Sequence, residues 1–297
     1  MLSMVKNNKQ GIYTKGEDYI YRVKFRVDNT PSDVTEADLM INTPCMKNSF
    51  ITEMERLSES LYQGNYSIPT DAEYGEYEVE ITAITGDATS KFTDSFIILP
   101  WNIIENIRKT SGIKECNDIN NDDIALITWN AYLEARNDIF RTHIHELVNQ
   151  CTYELEDEYY VRTHIVTEYT ACDEDIISGH YINSMGNKKS ATIIVTDAVN
   201  GKIKILDESG NSLPGDTCHI YVTYKTYSPS FTESLFKKAV IYLAAHEIII
   251  RLHELDKATL ADVRSNREII LANPNRMYEN YKRICRKISV CKYDGVE

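Results

Sequence analysis

The sequence predicts an α+β protein of two domains: a β-sandwich over residues 1–99, then a helical domain over 100–297 with an antiparallel β-insertion at about 159–226. Three observations predict it. Residues 1–99 alternate apolar and polar side chains with period two in short runs broken by turn residues. After Pro100-Trp101 the apolar spacing lengthens to three and four. A hydrophobic content of 42% over 297 residues supplies core for two domains of ordinary size.

In the first third, Tyr19, Tyr21, Val23, Phe25 and Val27 alternate with Arg22, Lys24 and Arg26, which makes a half-buried strand with one cationic face. Asp28-Asn29-Thr30-Pro31 ends it with turn chemistry. Further strands are expected at 38–41, 46–55, 64–69, 75–83 and 90–99, with Tyr77, Val79, Ile81 and Ala83 facing inward. Short strands at this spacing are the pattern of a sandwich. The run Tyr66-x-Ile68-Pro69, Gly75-x-Tyr77-x-Val79 and Asp94-x-Phe96 resembles the closing half of immunoglobulin-like domains in prokaryotic and viral surface proteins. The resemblance implies a fold and leaves the ligand open.

In the second part, Ile103, Ile104 and Ile107 with Gly112 as a stop predict a short helix. Asn120-Asn121-Asp122-Asp123 caps a long amphipathic helix that runs from Ile124 to about Val148. Strands are expected at 159–168, 190–196, 202–206 and 219–226, with a polar loop or arm at 169–189. A helix over 230–254 follows, apolar almost all round between Ala239 and Ile250, so it must be covered on most sides. Val240, Ile241, Leu243, Ile248 and Ile249 are its candidate interface core. The last helix, 274–288, sets Met277, Tyr278, Tyr281, Ile284 and Ile288 against a basic face of Arg276, Lys282, Arg283, Arg286 and Lys287.

The net charge of −13 is uneven: 9 basic and 16 acidic residues in 1–99, 11 and 20 in 100–230, 12 and 9 in 231–297, giving −7, −9 and +3. Phosphate binding requires a concentrated basic surface, so most of this chain repels nucleic acid. An acidic wall instead lets a polyanion slide past. No apolar run is long enough to span a bilayer and the N-terminus has no signal core, which predicts a soluble protein made in a cytoplasm.

Chemistry-bearing patterns are sparse. Seven cysteines without C-x-x-C spacing argue against a disulfide framework or zinc ribbon and read as thiols in a reducing compartment. His143-x-His145 with Glu146, if helical, points its imidazoles apart. His246-Glu247 and His253-Glu254 miss the H-E-x-x-H spacing. The acidic runs Glu154, Glu156, Asp157, Glu158 and Asp173-Glu174-Asp175 lack a calcium-loop pattern and read as solvated surface. Without a nucleotide, flavin or hydrolase motif, the expectation is no enzyme, no cofactor and no metal.

Residues 101–297 resemble the head–tail connector (adaptor) proteins of tailed viruses. The likeness is carried by Ile103-Ile104-Glu105-Asn106-Ile107-Arg108-Lys109-Thr110-Ser111-Gly112-Ile113, similar to that family's opening helix and turn, by the Asp122-Asp123 cap and long helix, and by the closing order of β-excursion, apolar helix and basic helix. The resemblance implies a virion protein of the neck between capsid and tail, made in the host cytoplasm. It implies a dodecameric homo-oligomeric ring beneath the portal protein, next to stopper or tail-completion proteins, with double-stranded DNA passing through unbound and no membrane. The basic helix would dock the portal and the apolar helix would bury between neighbours. The alternative is a tail or capsid-surface binding and decoration module built on the sandwich.

Overall fold

The computed structural model describes residues 2–6, 11–44, 48–86, 88–113, 119–148, 158–161, 165, 177–198, 200–228, 230–259 and 272–289. Among these, sixteen strands in three sheets and four helices make the chain α+β, mostly strand. They fall into two units, one comprising the described residues of 1–132 and 240–278, the other those of 133–169, 173–239 and 279–289.

In the first unit, period-two alternation builds two sheets that share one core. One runs β1 (Leu2–Lys6), β3 (Asp18–Val27), β8 (Leu61–Ser67), β7 (Glu55–Ser58), with β4 (Thr30–Pro31) also on β3. The other runs β2 (Ile12–Tyr13), β10 (Ala88–Ile98), β9 (Gly75–Thr85), β5 (Glu36–Asn42), β6 (Ser49–Glu53). All pairings are antiparallel except β2 with β10. Tyr19, Tyr21, Val23 and Phe25 of β3 meet Leu39 and Ile41 of β5 and Tyr77, Val79, Ile81 and Ala83 of β9 in that core. Phe96 stacks on Tyr19 at 3.9 Å and on Tyr77 at 5.2 Å between ring centroids. The Tyr77 hydroxyl donates to the Glu73 carbonyl at 3.0 Å, at the start of its strand. Strand order and this hydrogen-bonded corner coincide with those of immunoglobulin-type sandwiches.

Two helices continue the chain. α1 (Ile104–Ser111) ends where Gly112 takes a left-handed φ of 83° and its N–H closes on the Arg108 carbonyl, a conformation that glycine adopts without a Cβ penalty. The Arg108 guanidinium reaches across to the Ile119 carbonyl and the Asn121 side chain, both at 2.9 Å. α2 (Asn121–Ile139) is capped by the Asn120 side chain, which accepts from the Asp123 N–H at 2.7 Å. Gly11 lies so close to this start that a Cβ would sit 2.4 Å from the Asn121 carbonyl oxygen.

Lys6 of β1 binds Asp94 of β10 at 2.8 Å and Asp122 of α2 at 3.0 Å. Burial alone pulls its ammonium down the pKa scale. Hydrogen bonds and charge from the two carboxylates more than offset that, and the net shift is upward.

In the second unit, one six-stranded sheet runs β11 (Arg141–Val148), β16 (Thr217–Thr226), β13 (Ile177–Asn183), β14 (Lys188–Asp197), β15 (Lys202–Leu206), β12 (Tyr159–Tyr160). Tyr181, Ile203, Ile205, Ile220, Val222 and Tyr224 fill its inner face. At Gly179 a Cβ would lie 2.6 Å from Ile193 Cδ1, so a larger residue there needs the Ile193 side chain to turn aside. The remaining helices are α3 (Glu233–Thr259) and α4 (Pro274–Ile288).

Several local expectations are corrected. The long helix stops at Ile139 instead of about Val148, because Arg141–Val148 pairs with β16. The predicted arm at 169–189 contains β13 and the start of β14; its residues 169–176 lie outside the described residues. The single strand expected over 46–55 is split: β6 belongs to one sheet, and Met54, whose N–H donates to the Ala37 carbonyl, leads into β7 of the other. Strands β1, β2 and β4 were unanticipated. Cys218 is disulfide-bonded and so is not the lone thiol expected.

Replacing Lys6 with Met strands two carboxylates and lowers stability by about 2 kcal/mol, with partial recovery when Asp94 and Asp122 become Asn, by urea denaturation. Tyr77→Phe keeps the ring, loses one hydrogen bond and costs about 1 kcal/mol in the same assay.

Candidate functional site

α4 brings the predicted basic residues onto an amphipathic helix whose other side is Met277, Tyr281, Ile284, Cys285 and Ile288, all buried. Its cations are not equivalent. Lys282 Nζ lies 3.2 Å from Asp138 Oδ2, the same oxygen that accepts from the Tyr281 hydroxyl at 2.8 Å. Lys282 is therefore engaged within the chain, although its side chain is still 39% exposed. Arg276, Arg283, Arg286 and Lys287 are exposed. Arg283 donates to the Asn280 side chain at 3.2 Å without losing its charge to a carboxylate there.

Burial pushes the Tyr281 hydroxyl far above its usual range, and the bond to Asp138 adds to it. Burial likewise pushes the Cys285 thiol up to about 11. At neutral pH both stay protonated, so this cluster positions Lys282 and presents no nucleophile.

On α3, Val240, Leu243, Ile248 and Ile249 are at most 1% exposed, while Ile241 is half-buried. The chain covers these residues itself. Apolarity around that helix thus reflects internal packing, a correction to the expectation that a neighbour must supply the cover. His246 Nδ1 is 2.9 Å from the Pro274 carbonyl and its ring packs 5.0 Å from Tyr278, which gives it a structural role.

His143, His145 and Glu146 lie on strand β11 and not on a helix, so the helical reason for discounting them fails. Glu146 Oε1 receives the Tyr221 hydroxyl at 2.8 Å and His219 Nδ1 at 2.9 Å, and these bonds hold its carboxyl below the usual range. Tyr221 also stacks on His180 at 5.0 Å. Burial, then the charge of Lys188, lowers the His180 pKa. This row of rings sits on an exposed sheet face, not in a cleft. No group of three or more His, Cys, Asp or Glu among the described residues is arranged to hold a metal. Of the acidic runs, Glu158 pairs with Lys202 at 2.5 Å; Glu154, Glu156, Asp157 and Asp173-Glu174-Asp175 lie outside the described residues. No helix of the described residues is long and apolar enough to cross a membrane.

No protein-family model and no curated protein matches the chain. Among solved structures it is similar in part to the endo-β-1,4-mannanase from Thermotoga petrophila, at 16% identity over 34% of this chain and 20% of that one, TM-score 0.26. The Lin-41 filamin domain matches at 15% identity over 34% of this chain and 93% of that one, TM-score 0.24. A tetra-tandem repeat from the extending region of a large adhesion protein matches at 7% identity over 76% and 50%, TM-score 0.28. The chain thus spans about a fifth of the mannanase, and all three likenesses are too slight to carry an inference about function.

Because its thiol is buried and protonated, Cys285 is expected to react with iodoacetamide at pH 8 about 100-fold or more slowly than an unhindered cysteine, as read by peptide mass spectrometry.

Proposed function

We propose that the chain is a structural virion protein, a head–tail connector subunit that forms a dodecameric ring beneath the portal and continues the DNA channel toward the tail. The observation that supports it is the order of elements after Pro100: α1 with its Gly112 turn, the Arg108 clasp on Ile119 and Asn121, α2, a β-excursion, apolar α3 and basic α4. In this reading the sandwich is an added immunoglobulin-like module and the chain performs no catalysis. Arg276, Arg283, Arg286 and Lys287 face an acidic portal surface, and stopper or tail-completion proteins sit below. The −13 net charge keeps passing DNA from arresting on the wall.

A second reading, a binding or decoration module displayed on a particle surface, is favoured by one observation. The Cys218 disulfide suits an oxidising environment better than a cytoplasm.

Mixing the purified chain with the portal protein of the same virus separates the two readings by negative-stain imaging. A closed ring of about a dozen copies on the portal supports the connector. A chain that stays monomeric beside portals removes it. Reversal of Arg283, Arg286 and Lys287 to Glu is expected to abolish ring docking while the melting temperature stays within a few degrees of wild type.

A further inference from the structure

We propose that the open edge of β6, with the groove beside it, binds an extended strand of another protein in which apolar and basic side chains alternate. The site lies wholly within the sandwich and does not depend on the connector reading.

Backbone geometry comes first. Among the described residues, β6 closes one end of its sheet and pairs only with β5. The Met54 N–H donates to the Ala37 carbonyl at 2.7 Å and the Thr43 N–H to the Asn48 carbonyl at 2.9 Å, bracketing an unbroken register. Antiparallel hydrogen bonding alternates along a strand. Phe50 and Thr52 therefore bond to β5, and the N–H groups of Ser49, Ile51 and Glu53 point outward. Such an edge is a template for another strand unless it is guarded by lysine, proline or a bulge. Ser49-Phe50-Ile51-Thr52-Glu53 has none of these.

Apolar side chains mark the same place. Ile51 is 70% exposed and Phe50 43%, and Leu57 on β7, the end strand of the facing sheet, is 43% exposed. Where the chain crosses from β6 to β7, a groove of about 460 Å³ opens beside Glu36, Glu53, Glu55 and Met54. Its base is fixed by Tyr62, whose hydroxyl donates to the Val34 carbonyl at 2.8 Å and accepts from the Val34 N–H at 3.2 Å. The one cation on its wall, Arg56, is engaged by Asp33. Among the described residues, Glu36, Glu53 and Glu55 on that wall have no ion-pair partner, and together they select a basic side chain.

The lysine- and arginine-bearing strands of the sandwich, and β15, are already engaged within this chain. β3, which carries Arg22, Lys24 and Arg26, is enclosed between β1 and β8. β15, with Lys202 and Lys204, lies between β14 and β12. Lys6 of β1 is held by two carboxylates.

The test uses the full chain and two labelled eight-residue peptides, one alternating Lys with Val and one alternating Glu with Val, followed by fluorescence anisotropy. The Lys–Val peptide is expected to bind saturably and to protect the amides of Ser49, Ile51 and Glu53 from hydrogen exchange; the Glu–Val peptide is expected not to bind. Ile51→Pro removes one outward N–H and leaves the β5 ladder intact, and should weaken binding at least tenfold. Ile51→Lys, which keeps the backbone, and the pair Glu53→Lys with Glu55→Lys should do the same if the proline variant melts early. Binding that is absent, equal for both peptides, unchanged in these variants or without protection at β6 overturns the proposal. So does self-association of the chain that Ile51→Pro dissolves, since the occupant would then be a second copy.

Discussion

The half-buried contact of Lys6 with Asp94 and Asp122 is the constraint on which the first unit depends. Among the described residues β1 is joined to its sheet by one neighbour only, and β10 carries the chain out of the sandwich toward α1 and α2. A single ammonium joins all three. Its cost is desolvation of a cation, and two carboxylates at hydrogen-bond distance are what make that burial tolerable. Asp122 also sits in the first turn of α2, where negative charge is favoured by the helix dipole, so the helix start and the sandwich edge stabilise the same proton on Lys6. Close approach of Gly11 to the Asn121 carbonyl leaves no room for this register to shift.

What the sequence revealed follows from how local the cause is. Tyr19 to Phe25 and Tyr77 to Ala83 alternate strictly because each strand packs one face on a shared core, and both are found as read. Gly112 and Asn120 were legible because a helix stop and an N-cap are satisfied by nearby backbone. β11 was not. Ile139, Phe140, Ile144 and Leu147 keep helical spacing, yet the segment pairs with residues about 80 positions away, and no pattern within it announces that partner. β13 contains Gly179, against which Ile193 packs, a neighbour visible only once the sheet exists.

The same distinction governs the charged residues. On the helical wheel Lys282 looks like Arg283, Arg286 and Lys287. Asp138, 144 residues earlier, separates it from them. The apolar helix α3 misled in the opposite direction, since uniform apolarity reports burial without saying who supplies it, and here the chain does.

In the two proposals made above, charge sign separates the surfaces. α4 exposes cations, which the connector reading sets against an acidic surface, whereas the β6 edge exposes carboxylates and outward amides, which the strand-binding proposal sets against a basic strand. Backbone pairing supplies affinity at the second surface with little demand on side chains, and side-chain charge supplies nearly all of it at the first. Salt should consequently weaken contacts at α4 much more than contacts at β6. A partner strand carrying Glu in place of Lys would also meet the repulsion of Glu36, Glu53 and Glu55 before its backbone could align, so the edge discriminates by sign even though its hydrogen bonds do not.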